Sequence, residues 1–190
     1  MNEHFENARG FYAAVMQDLE EIAVSLKNFF RTQGQEFNTD LFYRQYDCLL
    51  QYSLLHTAII DNDFDLNEVV FIRDLTEHAD LMDYLNSICD TDFSWQLIFK
   101  GEIAAISTWL SAIRPLMDSV KEDFCAFFAL YDAASPKDYL QNLVKNTSFI
   151  LAALACSDGK ISEKEKDTSG NYILDVFSDI SDNIKGFQNK

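Results

Sequence analysis

The sequence predicts an all-α protein, folded as a single compact domain of about six to eight helices. Only 2 prolines and 6 glycines occur in 190 residues, which is few for the many tight turns that an all-β fold requires. Apolar residues recur at steps of three and four along much of the chain, the spacing of one helix face. Hydrophobic residues make up 48% of the sequence, enough to bury a core without disulfides or metals.

The first two helices are indicated by an apolar stripe and by residues that end or cap helices. The stripe runs from Phe11 to Phe30 and predicts an amphipathic helix that ends near Gly34. Asn38 is a suitable N-cap for a second helix, which is apolar over more of its surface and is expected to reach Ile60. We therefore expect the second helix to be central.

The middle of the chain is expected to hold a helix over residues 69–89, broken near 78–80, and another over 95–113. Pro115 disfavours helical geometry at Arg114. The sequence therefore predicts a stop or kink there, followed by a short aromatic helix over 117–131. Its aromatic residues, like Phe29 and Phe30, are expected to lie in the core rather than on a docking surface.

The last third of the chain contains one strong helix start and one interruption. Ser135-Pro136 favours a helix start because proline is tolerated at the first helical position, and the next helix is expected over residues 139–156. Gly170-Asn171 interrupts the chain before a final amphipathic helix near 173–184. No linker divides the sequence, so we expect an N-terminal helix within residues 1–44 that packs on a main helical domain over residues 45–190.

Charge and cysteine usage exclude several classes of function. The net charge is -16, from 31 acidic and 15 basic residues, so the protein repels phosphate backbones and we expect no nucleic-acid partner. The apolar runs are far shorter than the roughly 18 residues that span a bilayer, so we expect no membrane insertion. The N-terminus does not resemble a secretion signal. The four cysteines are 31 to 41 positions apart, which favours free thiols and a cytoplasmic location.

Two segments of the sequence, residues 61–68 and 158–165, match each other at a constant offset of 97 positions. Each follows an apolar helix and opens with an aspartate, Asp61 or Asp158. Asn62 or Gly159 comes next, and these residue types readily adopt the left-handed backbone found at helix ends. The match predicts an internal pseudo-repeat of helix, acidic turn and capped helix.

Helix capping explains most of this motif. Asp65 or Ser162 stands at an N-cap position, with Glu68 or Glu165 three residues later. This is the spacing of a capping box, which satisfies free backbone N–H groups at the start of a helix. Losing such a cap typically costs about 1 kcal/mol, so folding alone could account for the pattern.

The alternative is a site for a hard cation, Ca²⁺ or Mg²⁺, which carboxylate oxygens prefer to bind. The candidate ligands are Asp61, Asp63, Asp65, Glu68, Asp158 and Glu165, with Glu163 as a further carboxylate in the second copy. Spacing alone does not decide between capping and cation binding.

An EF-hand does not fit either copy. The second copy has glycine, an apolar residue and glutamate at the sixth, eighth and twelfth loop positions. The first and third positions would be Leu154 and Cys156 there, and Thr57 and Ile59 in the first copy. These residues lack the side-chain carboxylates that begin an EF-hand loop.

The paired motif resembles the tellurite-resistance TerB-like family over roughly residues 45–184. Residues 151–165, which end in Asp-Gly-Lys-Ile-Ser-Glu-Lys-Glu, carry the closer match. The first copy departs from it with Ile60 and Asn62. The resemblance implies an all-helical fold with pseudo-symmetry, divalent-cation binding where the two turns meet, and an adaptor role in stress-response assemblies. Its implied ligands are Asp61, Glu68, Asp158 and Glu165.

No catalytic motif and no site for an organic cofactor stands out in the sequence. His56 lies about one turn before Asp61, but the chain has 3 histidines and no HExxH pattern. Three functions therefore remain, in this order: a non-enzymatic adaptor with a cation-responsive pair of turns, a structural interaction module whose turns only cap helices, and a hydrolase that uses paired carboxylates. We expect protein partners and a monomer or weak dimer.

Overall fold

The computed structural model describes residues 3–60, 66–75, 100, 102–134, 139–156 and 172–188. Six helices and no strand occur in these ranges, so the predicted all-α class and single compact domain are confirmed. Their bounds are α1 Glu3–Thr32, α2 Thr39–Ala58, α3 Leu66–Leu75, α4 Ile103–Ala134, α5 Leu140–Ala155 and α6 Tyr172–Gln188. No helix in these ranges is long and apolar enough to cross a membrane.

Helices α1, α2 and α3 form the first half of the described structure, and α4, α5 and α6 form the second half. The two halves pack on each other in a matching way. In the first half, α1 packs along α5 of the other half, and α3 packs on α1. In the second half, α4 packs along α2, and α6 packs on α4. Helices α2 and α5 contact each other, and buried hydroxyls of Tyr46 and Thr147 lie 3.0 Å apart in a hydrogen bond between them. Helices at corresponding positions in the two halves therefore have corresponding packing partners.

Helix α2 is the central helix, as predicted. It contacts the other five described helices, and every residue from 45 to 55 is buried. A helix that is covered on all sides carries apolar side chains over most of its circumference. Phe42, Leu49, Leu50 and Leu54 are each fully buried.

Local signals set the end of α1 and the start of α2. Helix α1 ends at Thr32, and Gly34 has φ of 70°, a left-handed conformation that glycine adopts without strain. The side chain of Asn38 accepts a hydrogen bond of 3.0 Å from the backbone N–H of Leu41. The predicted helix end and N-cap are both confirmed.

Of the stop or kink predicted at Pro115, the stop is wrong, because α4 runs from Ile103 to Ala134 with Pro115 inside it. An interior proline costs about 3 kcal/mol, since it removes one backbone hydrogen bond and crowds the preceding turn. Buried residues such as Ile113 and Met117 lie on both sides of it, and each such side chain contributes about 1.5–3 kcal/mol. Pro115 and Ser111 are exposed, so water can reach the carbonyl group of Ser111 that loses its partner. Residues 117–131 therefore belong to α4.

The aromatic residues pack mainly in the core between α2 and α4. Phe42 stacks on Phe124 with ring centroids 5.4 Å apart, and Phe128 and Tyr131 are also buried. Phe30 is partly buried and packs against Phe37. The prediction that these clusters form core is confirmed at the fully buried positions.

Several sequence predictions concern residues outside the described ranges. These are the break near 78–80, the helix start at Ser135-Pro136 and the interruption at Gly170-Asn171. Helix α5 begins at Leu140, one residue later than expected, and α2 ends at Ala58, two residues earlier than expected. The domain boundary drawn after residue 44 falls inside α2.

Candidate functional site

Of the six predicted cation ligands, Glu68 lies within the described residues. Asp61, Asp63, Asp65, Asp158 and Glu165 lie outside them, as does Glu163. The structure nevertheless describes the helix ends from which both acidic segments begin and the helices that follow them. These helix ends and helices are the described surroundings of the predicted site.

Glu68 occupies the first turn of α3. The helix begins at Leu66, so Glu68 is its third residue, the position at which a capping box places glutamate. Its side chain is only 3% exposed, whereas Leu66 is 63% exposed. The carboxylate is thus buried at the helix end whose backbone N–H groups and dipole favour negative charge.

Helices α2 and α5 end with the same backbone geometry. The residue after α2, Ile59, has φ of −95° and ψ of −1°, and the residue after α5, Cys156, has φ of −96° and ψ of −3°. Each N–H donates to the carbonyl oxygens two and four residues earlier. The two residues are related by the offset of 97 that relates the acidic segments. The chain therefore leaves both helices in the same way.

The start of α6 packs against the last turns of α2. The ring of Tyr52 meets those of His56 and Tyr172 edge to face, with centroids 5.0 and 4.9 Å away. The hydroxyl of Ser53 accepts a hydrogen bond of 3.0 Å from the backbone N–H of Ile173. In the chain, Asp61 follows His56 by five residues, and Tyr172 follows Glu165 by seven. The described residues that flank the two acidic segments on these sides, at the end of α2 and the start of α6, are therefore in contact.

Charged groups of α4 and α6 surround Tyr172. Its hydroxyl donates a hydrogen bond of 2.8 Å to a carboxylate oxygen of Asp118. The ammonium group of Lys121 lies 5.9 Å from the centroid of the ring and forms an ion pair with Asp179. Burial, and then the neighbouring Asp118, raise the pKa of Tyr172, so its hydroxyl stays protonated at neutral pH.

His56 is the described histidine nearest to the acidic segments. Partial removal from water beside Tyr52, followed by the positive charge of Arg114, lowers its pKa. The imidazole is therefore neutral at neutral pH, the form that accepts a hydrogen bond or binds a metal. Within the described ranges, no group of three or more His, Cys, Asp or Glu residues is placed to hold a metal ion.

The structure also contains a groove that the sequence did not reveal. It has a volume of about 500 Å³ and lies among α1, the start of α2 and the end of α3. Its wall includes Arg9, Tyr12, Met16, Glu20, Tyr43 and Asp74. These residues come from three helices, so no local sequence motif connects them.

A buried carboxylate supports the floor of this groove. The hydroxyl of Tyr12 donates a hydrogen bond of 2.8 Å to Asp47 of α2. Asp47 is fully buried and Tyr12 is only 5% exposed. Because a buried polar group is costly unless it is hydrogen-bonded, this contact holds the orientation of Tyr12 and links α1 to α2.

Comparisons of the chain with family models, with curated proteins and with solved structures give no match.

Proposed function

We propose that the protein is a non-enzymatic helical adaptor whose two acidic turns together bind one divalent cation, Ca²⁺ or Mg²⁺. The observation that carries this proposal is the contact of Tyr52 with both His56 and Tyr172, which joins the last turns of α2, ahead of segment 61–68 in the chain, to the first residue of α6, the helix that follows segment 158–165. The ligands would be carboxylates among Asp61, Asp63, Asp65, Glu68, Asp158 and Glu165.

The chemistry of hard cations supports a shared site. Calcium takes six to eight oxygen ligands, and magnesium takes six. Either turn alone lacks the carboxylates that begin an EF-hand loop, but two turns at matching positions could supply ligands jointly. The identical ends of α2 and α5 support this symmetry. The net charge of -16 adds a long-range attraction for cations at low ionic strength.

Two of the three described thiols, those of Cys48 and Cys125, are poorly suited to act as catalytic nucleophiles. Burial raises the pKa of the Cys48 thiol well above its usual range and raises that of Cys125 to about 11. Both thiols therefore stay protonated at neutral pH and are poor nucleophiles. The stress-response setting of the adaptor is supported by the TerB-like pattern of residues 151–165.

The alternative function is an interaction module whose acidic turns only cap helices. The burial of Glu68 at the third position of α3 favours this alternative, since that is where a capping glutamate works. The two functions differ in one measurable respect, because caps stabilise the fold without any added ion.

Calorimetric titration of chelator-treated protein with CaCl₂ and with MgCl₂ tests the proposal directly. We expect heat of binding and a rise in melting temperature for the wild type. A free ion concentration of a hundred times the dissociation constant stabilises the native state by about 2.7 kcal/mol. Asp61→Asn and Asp158→Asn should each weaken binding at least tenfold, because both halves contribute ligands.

Asp123→Asn is the matched control, since it removes one exposed carboxylate from α4 without touching either turn. It should bind the ion as the wild type does. The proposal fails if the wild type shows neither heat nor thermal shift at millimolar ion. It also fails if both turn variants bind like Asp123→Asn, and the capping alternative would then explain the motif.

A further inference from the structure

The groove among α1, α2 and α3 combines an aromatic ring with a carboxylate. Tyr43 supplies the ring, Met16 supplies an apolar surface, and Glu20 supplies the carboxylate, whereas the carboxylate of Asp74 is already paired with Arg73. Aromatic faces and carboxylates together attract an organic cation, the rings through their quadrupole and the carboxylates through their charge. The volume of about 500 Å³ is within the usual range for binding pockets.

The hydroxyl of Tyr12 is already engaged inside the protein. It donates to the buried Asp47 at 2.8 Å, and Tyr12 is only 5% exposed, so Tyr12 forms part of the wall and leaves Tyr43 as the ring that a ligand can reach. Tyr43 is half-buried on the opposite wall. Burial, and then Glu20 and Asp40, raise the pKa of Tyr43, which agrees with a negative potential at this end of the groove.

The charge in the groove changes from one end to the other. Arg9 lies at the end opposite to Glu20, eleven residues earlier on α1, which corresponds to about 16 Å along the helix. The guanidinium of Arg9 lies 6.0 Å from the centroid of the Phe5 ring, at the margin of the groove. A ligand with one positive charge and an apolar stem therefore fits better than a ligand with positive charges at both ends.

We infer that this groove binds the side chain of a lysine from a partner protein, with its ammonium group near Glu20 and Tyr43 and its methylene stem along Met16. A lysine side chain has one charge on an apolar stem of four carbons. Arg9 disfavours free polyamines, which have several charges. The net charge of -16 favours a basic partner and increases its association rate.

The test uses the methyl signals of methionine in the full-length protein. Met16 lies in the groove, whereas Met117 is fully buried in the core and serves as an internal reference. The protein, labelled with ¹³C at its methionine methyl groups, is titrated with N-acetyl-lysine methylamide. The signal of Met16, assigned with Met16→Leu, should move and saturate while that of Met117 stays in place.

Three probes separate the possible ligands. The norleucine analogue has the stem without the charge, and we expect it to bind at least about threefold more weakly, from the combined effect of a cation–π contact and one exposed ion pair. Spermidine should bind more weakly than the lysine probe. A peptide that presents lysine between neutral residues should bind at least as well as the lysine probe.

Glu20→Gln should weaken binding of the lysine probe about threefold or more, whereas Glu21→Gln should not change it. Both glutamates are exposed on α1, but Glu20 alone of the two lines the groove, so neither substitution should impair folding. The inference is overturned if Met16 does not respond, if norleucine binds as well as lysine, or if the two variants behave alike. Tighter binding of spermidine would also overturn it, because the ligand would then be a free polyamine.

Discussion

Removing the hydroxyl of Tyr12 should destabilise the protein strongly, although only one oxygen atom is lost. Tyr12→Phe deletes the 2.8 Å hydrogen bond to Asp47 but leaves the ring in place. Leaving a buried acceptor without its donor costs about 1–3 kcal/mol of stability. The upper part of this range is expected here, because Asp47 is 0% exposed and Tyr12 is 5% exposed, so water cannot replace the lost donor.

The loss should appear as a lower melting temperature and a lower urea midpoint. For a chain of this size, 1 kcal/mol corresponds to about 2–4 °C, so Tyr12→Phe should melt about 4–10 °C below the wild type. Tyr43→Phe is the matched control, because it removes a hydroxyl from the half-buried Tyr43 in the groove wall. Tyr43→Phe should change the free energy of unfolding by less than about 0.5 kcal/mol.

A double-mutant cycle isolates the contact itself. Asp47→Leu keeps the approximate shape of the side chain and removes both oxygen acceptors, and the cycle with Tyr12→Phe should give a coupling energy of about 1–2 kcal/mol. A coupling energy near zero, or a Tyr12→Phe variant as stable as Tyr43→Phe, would refute the reasoning that this pair stabilises the packing of α1 on α2.

Two further substitutions test the helix geometry. Pro115→Ala should stabilise the protein by about 1–2 kcal/mol, because an added backbone hydrogen bond outweighs the greater freedom of the unfolded chain. An unchanged urea midpoint would contradict a continuous helix at Pro115. Asn38→Ala should cost about 1 kcal/mol through loss of the N-cap contact with Leu41. Asn38→Asp keeps an acceptor and should retain that stability, so equal losses in both variants would argue against the cap.

Part of the candidate site was predictable from local sequence. The offset of 97 between the acidic segments identified two helices that prove to end with matching backbone geometry. The contact of Tyr172 with Tyr52 could not be predicted in this way, because it joins residues that are distant in the chain. The groove was missed for the same reason, since its carboxylates and rings belong to different helices.

The sequence by itself determined the elements whose signals act over a few residues. Gly34 and Asn38 mark the boundary between α1 and α2 because backbone conformation and capping are local interactions. The many apolar residues between Leu41 and Ile59 likewise predicted a central helix, since a helix that is apolar over most of its surface is buried.

Only the tertiary structure decided the outcome where local and distant interactions compete. Pro115 locally opposes a helix, yet buried side chains before and after it keep α4 continuous. Asp47 appears in the sequence as an ordinary charged residue, and its burial is made tolerable by Tyr12, 35 residues earlier. The free energy of such contacts depends on which surfaces packing brings together and removes from water, and that information is not present in any short segment of the chain.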